Sequence, residues 1–133
     1  MSEIRVTTLK DTSGGNSSTT SEIKSGRVKA WVNFNGQGAV AIRAQFNVSS
    51  ITDNGTGDYT VNYSPALSDA NYVFYGSIVS ATSATSIYSY SFISGPASTN
   101  QMLHTTSATR FNTTHIDGPT YDHEMVQVAV NGN

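Results

Sequence analysis

The chain is patterned mostly with a period of two. Val28, Ala30, Val32 and Phe34 fall on one side of a stretch whose other side carries Lys29, Trp31 and Asn33. That alternation predicts a strand with one face packed and one face turned outward. The turn Asn35-Gly36-Gln37-Gly38 and the run Ala39-Val40-Ala41-Ile42-Arg43-Ala44 complete a hairpin. Phe46, Val48 and Ile51 open the next strand. Thr52-Asp53-Asn54-Gly55-Thr56-Gly57-Asp58 is the strongest turn signal, because Asn-Gly tolerates positive φ at both positions. Tyr59, Val61 and Tyr63 then alternate with Thr60 and Asn62. After the loop Ser64–Asn71, the segment Tyr72–Val79 is almost continuously apolar and reads as a central strand buried on both faces. Ile87 to Ile93 alternates up to the Gly95-Pro96 turn. Further strands are expected over Met102–Thr106, Ala108–Phe111 and Glu124–Val130, the last with Met125 opposed to Val126, Val128 and Val130.

No segment sustains a helical apolar period over three turns. Short strands recurring about every 8–12 residues with turns between them indicate a sandwich or barrel. The expected fold is therefore all-β: an antiparallel β-sandwich, jelly-roll-like or Ig-like, of about eight strands over residues 27–133. Residues 1–26 differ. Ile4-Arg5-Val6-Thr7-Thr8-Leu9 is a single alternating stretch, followed by the wholly polar Asp11–Thr20, with Ile23 as the sole later anchor. They predict an extended N-terminal arm whose one strand must find a surface elsewhere, with Ile4, Val6 and Leu9 docking by strand addition.

Composition narrows the function. The 133 residues carry a net charge of −2 with 12% charged side chains, about half the usual share. The seven Lys and Arg are scattered, so the phosphate-neutralising stripe that nucleic-acid binding requires does not form. Ser and Thr fill 36 positions, which suits strands and turns. Without cysteine, disulfides and thiolate metal sites are excluded. No basic-then-apolar leader and no run of roughly 20 apolar residues is visible, so neither secretion nor membrane insertion is expected. Five Asn-x-Ser/Thr sequons, at Asn16, Asn47, Asn54, Asn62 and Asn112, then reflect composition rather than glycosylation.

Sites for chemistry are few. Gly36, Gly38 and Ala41 echo a dinucleotide fingerprint, but β-type neighbours follow where a helix is required. Asp53-Asn54-Gly55-Thr56-Gly57-Asp58 puts glycines where a calcium loop needs oxygen ligands. The densest ionisable cluster, His115 to Glu124, offers His115, Asp117 and His123 as weak metal ligands, although its central Gly-Pro marks an ordinary solvated loop. His104 reads as a partly buried polar residue. Asp53, Asp58, Asp69, Asp117, Asp122 and Glu124 form no recognisable acid–base pair, so no catalytic residue, no cofactor and no enzymatic activity are expected. Among the aromatics, Tyr59, Tyr63, Tyr72 and Phe74 read as core. Trp31 faces away from the Val28/Ala30/Val32 set and is the interface or glycan-stacking candidate.

Two stretches carry a resemblance. Gly26-Arg27-Val28-Lys29-Ala30-Trp31-Val32-Asn33-Phe34-Asn35-Gly36 and Ile42-Arg43-Ala44-Gln45-Phe46-Asn47-Val48-Ser49-Ser50-Ile51-Thr52-Asp53-Asn54-Gly55-Thr56-Gly57-Asp58-Tyr59-Thr60-Val61-Asn62 resemble a module of phage tail-fibre and virion structural proteins of the marine and cyanobacterial phage (cyanophage) type. Asp11-Thr12-Ser13-Gly14-Gly15-Asn16 is similar to leaders that precede it. The likeness covers residues 1 to about 80. It implies a structural homotrimer at the tail or capsid surface, made in the host cytoplasm, incorporated in the virion and partnered by other virion proteins. Tail fibres are usually much longer than a chain that starts at Met1, so a capsid decoration or cement protein is the alternative. A carbohydrate-binding module that recognises a host surface glycan is the alternative of another class.

Overall fold

A computed structural model describes residues 2–79, 91–95, 102–115 and 119–132. Its described elements are β1 (Thr8–Lys10), β2 (Ser17–Thr19), α1 (Thr20–Gly26), β3 (Val28–Asn35), β4 (Ala41–Phe46), β5 (Val48–Gly55), β6 (Asp58–Tyr63), β7 (Val73–Val79), β8 (Ser91–Ser94), β9 (Leu103–His104), β10 (Ala108–His115) and β11 (Met125–Asn131). The chain is an all-β sandwich of two antiparallel sheets. One runs β4-β3-β11-β7; the other runs β5-β6-β10-β8, with β9 also paired to β10. β1 and β2 form a separate hairpin.

The pairing is nested. β3 and β11, the first and last strands of the sandwich, pair antiparallel with Val32 opposite Val128. β6 and β10 do the same in the other sheet, with Val61 opposite Thr109. An immunoglobulin-like sandwich puts its first and last strands in different sheets. Here, among the described strands, they share one.

Period-two patterning fills the space between the sheets. Ala30, Val32 and Phe34 from β3 and Val126, Val128 and Val130 from β11 meet Tyr59, Val61 and Tyr63 from β6 and Phe111 from β10. Aromatic edges cross the gap: Phe34 lies 5.1 Å from Tyr59 and Phe74 lies 5.0 Å from Phe111, ring centre to ring centre. Such contacts add to the burial of large rings. The core also holds polar side chains that the pattern concealed. Thr109 is fully buried, and its hydroxyl bonds the Tyr63 hydroxyl at 2.6 Å and the Tyr72 hydroxyl at 2.7 Å. Thr113 is also fully buried and donates to the Tyr121 carbonyl at 2.6 Å. Each buried hydroxyl thereby keeps the partner that burial demands.

The structure corrects several expectations. The arm is not extended throughout: Ser17–Thr19 pairs with Thr8–Lys10, and Thr20–Gly26 is helical. A capping box starts that helix. The Thr19 hydroxyl accepts from the Glu22 N–H, and the Glu22 carboxylate accepts from the Thr19 N–H, a reciprocal pairing that fixes a helix start without any apolar face. The arm strand lies at Thr8–Lys10 rather than Ile4–Leu9. β7 is an outer strand of the described sheet rather than a central one, with Val73, Tyr75 and Val79 exposed. Phe46 ends β4 instead of opening β5, because Asn47 adopts positive φ between them. The tight turn closes on Thr56-Gly57 rather than Asn54-Gly55. Gly57 has φ +62, and a Cβ there would meet Tyr121 N at 2.6 Å and Thr113 O at 2.8 Å; both the backbone conformation and the space require glycine. The strand expected from Ile87 is described only over Ser91–Ser94, and Pro96 lies outside the described residues.

Candidate functional site: the outer face of one sheet

Strand pairing assembles a row that sequence distance hides. Trp31 on β3 is opposite Phe46 on β4 and Ala129 on β11, and Ala129 is opposite Tyr75 on β7. The inward residues of β3, β7 and β11 are packed and Phe46 shares its face with its partner Trp31, so this row points away from the core. Phe46 is 48% exposed, Tyr75 46% and Trp31 39%. Beside it runs a second row, Ala44-Asn33-Gln127-Ser77, whose Ser77 hydroxyl donates to Gln127 Oε1 at 3.1 Å. The two rows border a shallow groove of about 530 Å³. Trp31 and Tyr75 flank it, and the small side chains of Ala44 and Ala129 leave it open.

The face is nearly charge-free. β7 and β11 contain no charged residue. The two cations of the sheet are engaged elsewhere: the Lys29 ammonium donates to the Lys24 carbonyl, and Arg43 lies 3.7 Å from Glu124. Burial and the neighbouring positive charges of Arg27 and Lys24 lower the Lys29 pKa.

The expected site residues fall in different places. Trp31 is on this face. Ile4, Val6 and Leu9 are exposed in the arm, and only Leu9 lies in a strand, opposite Ser18. Asp117 and the side chain of His115 lie outside the described residues. His123 is fully buried, which overturns the solvated-loop reading for that residue; its carbonyl accepts from the Gly36 N–H at 2.8 Å. Among the described residues no three His, Asp or Glu side chains are grouped to hold a metal.

Asp122 serves structure. Its Oδ1 accepts from the Tyr59 hydroxyl and the Gly57 N–H, both at 2.7 Å. Burial, reinforced by that carboxylate, pushes the Tyr59 phenol well above its ordinary pKa, so the group stays a neutral donor. The contact ties the 121–123 loop to β6. His104 matches its expected role: its ring lies 4.9 Å from that of Tyr72, Nδ1 is 3.2 Å from the Thr109 hydroxyl, and burial lowers its pKa.

Phe46, Tyr75, Val73 and Val79 were not among the expected site residues. For Val73, Tyr75 and Val79 the signal was the missing alternation in Tyr72–Val79; Phe46 joins them only through its register with Trp31. A strand apolar on both sides is either central or an outer strand with an unsatisfied face.

No family model, no curated protein and no solved structure matches the chain. No helix among the described residues is long and apolar enough to cross a membrane.

Proposed function

We propose that this chain is a bacteriophage virion structural protein: a fibre-like or surface-appendage subunit that attaches through its N-terminal arm, projects its sandwich and works as a homo-oligomer, the trimer that the resemblance implies. In this reading the protein acts through shape and contacts and performs no catalysis. The observation that carries it is the separation of arm from sandwich. The arm has its own hairpin and capped helix, none of the helix residues is buried, and Ile4 and Leu9 stand 89% and 53% exposed. Apolar side chains presented on a small polar scaffold suit docking onto another protein's sheet edge or groove.

Deleting residues 2–25 tests the reading. The sandwich should still unfold cooperatively, while the truncated chain should fail to enter particles. Normal incorporation would reject the docking role. Copy number in a particle reconstruction separates the two locations: hundreds of copies on the shell mean capsid decoration, and a handful at the tail means a fibre.

The Trp31–Tyr75 groove favours a second reading of another class, recognition of a host surface glycan. Aromatic rings flank neutral amide and hydroxyl groups of Asn33, Gln127 and Ser77 there, and such surroundings suit a sugar's apolar face and hydroxyls. A glycan array without signal above background would remove it.

A further inference from the structure

We infer that the outer face of the β4-β3-β11-β7 sheet is where copies of this chain pack on one another, with Trp31, Tyr75 and Phe46 as its anchors. The inference rests on the reading of the protein as an assembling subunit and identifies the surface that assembles.

Extent is the first argument. Exposed apolar side chains reach both outer strands of the described sheet: Phe46 on β4, Val73, Tyr75 and Val79 on β7, with Trp31 between. Four strands span about 14 Å between outer axes and seven residues about 23 Å along them, or about 300 Å² before side-chain relief is counted. A patch of that order is comparable to the largest that a typical soluble monomer exposes, and such patches are often functional. It extends well past the groove, the only part a sugar ring would occupy.

Charge is the second. A highly charged partner finds nothing to pair with on the β7–β11 half of this face, which has no charge; Lys29 on β3 is held against the Lys24 carbonyl and Arg43 on β4 lies beside Glu124. A second copy presents the same uncharged β7–β11 half, where no like-charge penalty arises. Depletion of charge with enrichment in Trp, Tyr, Phe and Met is the composition of an interface centre, and Met125 lies opposite Val79 at the end of the face.

Relief is the third. Trp31 and Tyr75 project on either side of Ala129, leaving the groove of about 530 Å³ between them. The surface therefore carries both large anchors and a hollow of the size such anchors fill, the combination from which hot spots are made.

Sedimentation and light scattering of the full chain over micromolar concentrations test this. Trp31 is the sole tryptophan, so its emission reports burial of the face directly. The wild type should be oligomeric with blue-shifted emission that moves red as dilution dissociates it. The W31S/Y75S double variant should dissociate at least about 30-fold more readily while its thermal midpoint stays near wild type. Val73→Lys, which keeps both aromatic anchors, should weaken association in the same direction. A monomeric wild type, or an oligomer indifferent to these substitutions, would overturn the inference. So would a monomer whose Trp31 emission responds to added glycan, which would assign the groove to a sugar. Self-association without particle incorporation would sink the virion reading and leave this one standing; incorporation of a monomer would do the reverse.

Discussion

Thr60 and Trp31 occupy comparable places, each on the outward side of a strand whose inward side is fully packed, yet their surroundings differ sharply. Around Thr60, on the β5-β6-β10-β8 sheet, neighbours bond one another across the strands. Asn54 Nδ2 donates to the Thr60 hydroxyl at 2.9 Å, and Asn62 Nδ2 donates to the Ser50 and Thr52 hydroxyls, both at 3.0 Å. Arg110 grips Asp58 through two bonds of 2.9 and 2.7 Å. Around Trp31, on the other sheet, the outward groups are Phe46, Ala129 and Tyr75, and one Ser77–Gln127 bond is their polar neighbour. The central strands of both sheets, β3 and β11 in one and β6 and β10 in the other, bury their inner sides, so the core does not require this difference. A polar ladder is complete in water, whereas an aromatic row is complete only against something else. The contrast thus separates what the fold needs from what an assembly would need.

The largest effect should come from beneath both faces. Phe111 is fully buried, packs beside its cross-strand neighbour Tyr59 and meets the ring of Phe74 from the opposing sheet. Phe111→Ala should cost about 3–5 kcal/mol in chemical denaturation and disrupt both sheets in one transition. Two separate transitions would mean that the faces belong to independent units.

Next comes a matched pair of charges. Tyr75→Lys on the aromatic face should weaken self-association by about 2 kcal/mol or more with little change in monomer stability. Thr60→Lys on the polar face should leave association unchanged and alter stability by no more than about 0.5 kcal/mol. Equal effects of the two substitutions on sedimentation would erase the distinction between the faces. A smaller effect is expected from the ion pair. Its side chains are 38% (Arg110) and 17% (Asp58) exposed, so Asp58→Ala should cost roughly 1 kcal/mol or less and matter less in high salt. Hydrogen bonding to Asp58 raises the Arg110 pKa, consistent with a pair held in place.

Much of the fold was readable because one face of each main strand is packed. Val28–Asn35, Asp58–Tyr63 and Met125–Asn131 alternate as they do because only their inner residues meet the core. What misled was chemistry that breaks that rule. Val73–Val79 carries apolar residues on both sides, which imitates a central strand, although one side is the aromatic face. The helix at Thr20–Gly26 has no apolar stripe; its signal was the Thr19-x-x-Glu22 capping box, a two-residue cue inside a polar stretch. Thr109 and Thr113 look like surface threonines in sequence, and only the tyrosine hydroxyl and backbone carbonyl they meet make their burial affordable. The candidate site was half visible. Trp31's outward direction followed from alternation, but its neighbours Phe46 and Tyr75 come from other strands and required the registers.

The smallest effect is a pH dependence that should affect the fold and not the aromatic face. No histidine lies on β3, β4, β7 or β11, and histidine is the side chain whose ordinary charge change falls between pH 5 and 8. His104 sits off that face, against Tyr72 and Phe74, and burial lowers its pKa from the ordinary 6.5. Its unfolded state therefore binds a proton at a higher pH than its folded state does. Stability is fully present above about pH 6.5 and declines as pH falls below it, until the folded state is protonated as well. Unfolding midpoints measured from pH 8 to 5 should fall less steeply in His104→Gln than in wild type; the difference between the two curves isolates His104 from His115 and His123. Sedimentation over the same range should show association unchanged as long as the monomer stays folded. If association weakens in step with the fold, the aromatic face and the core are not separable, and the contrast between the two outer surfaces loses its meaning.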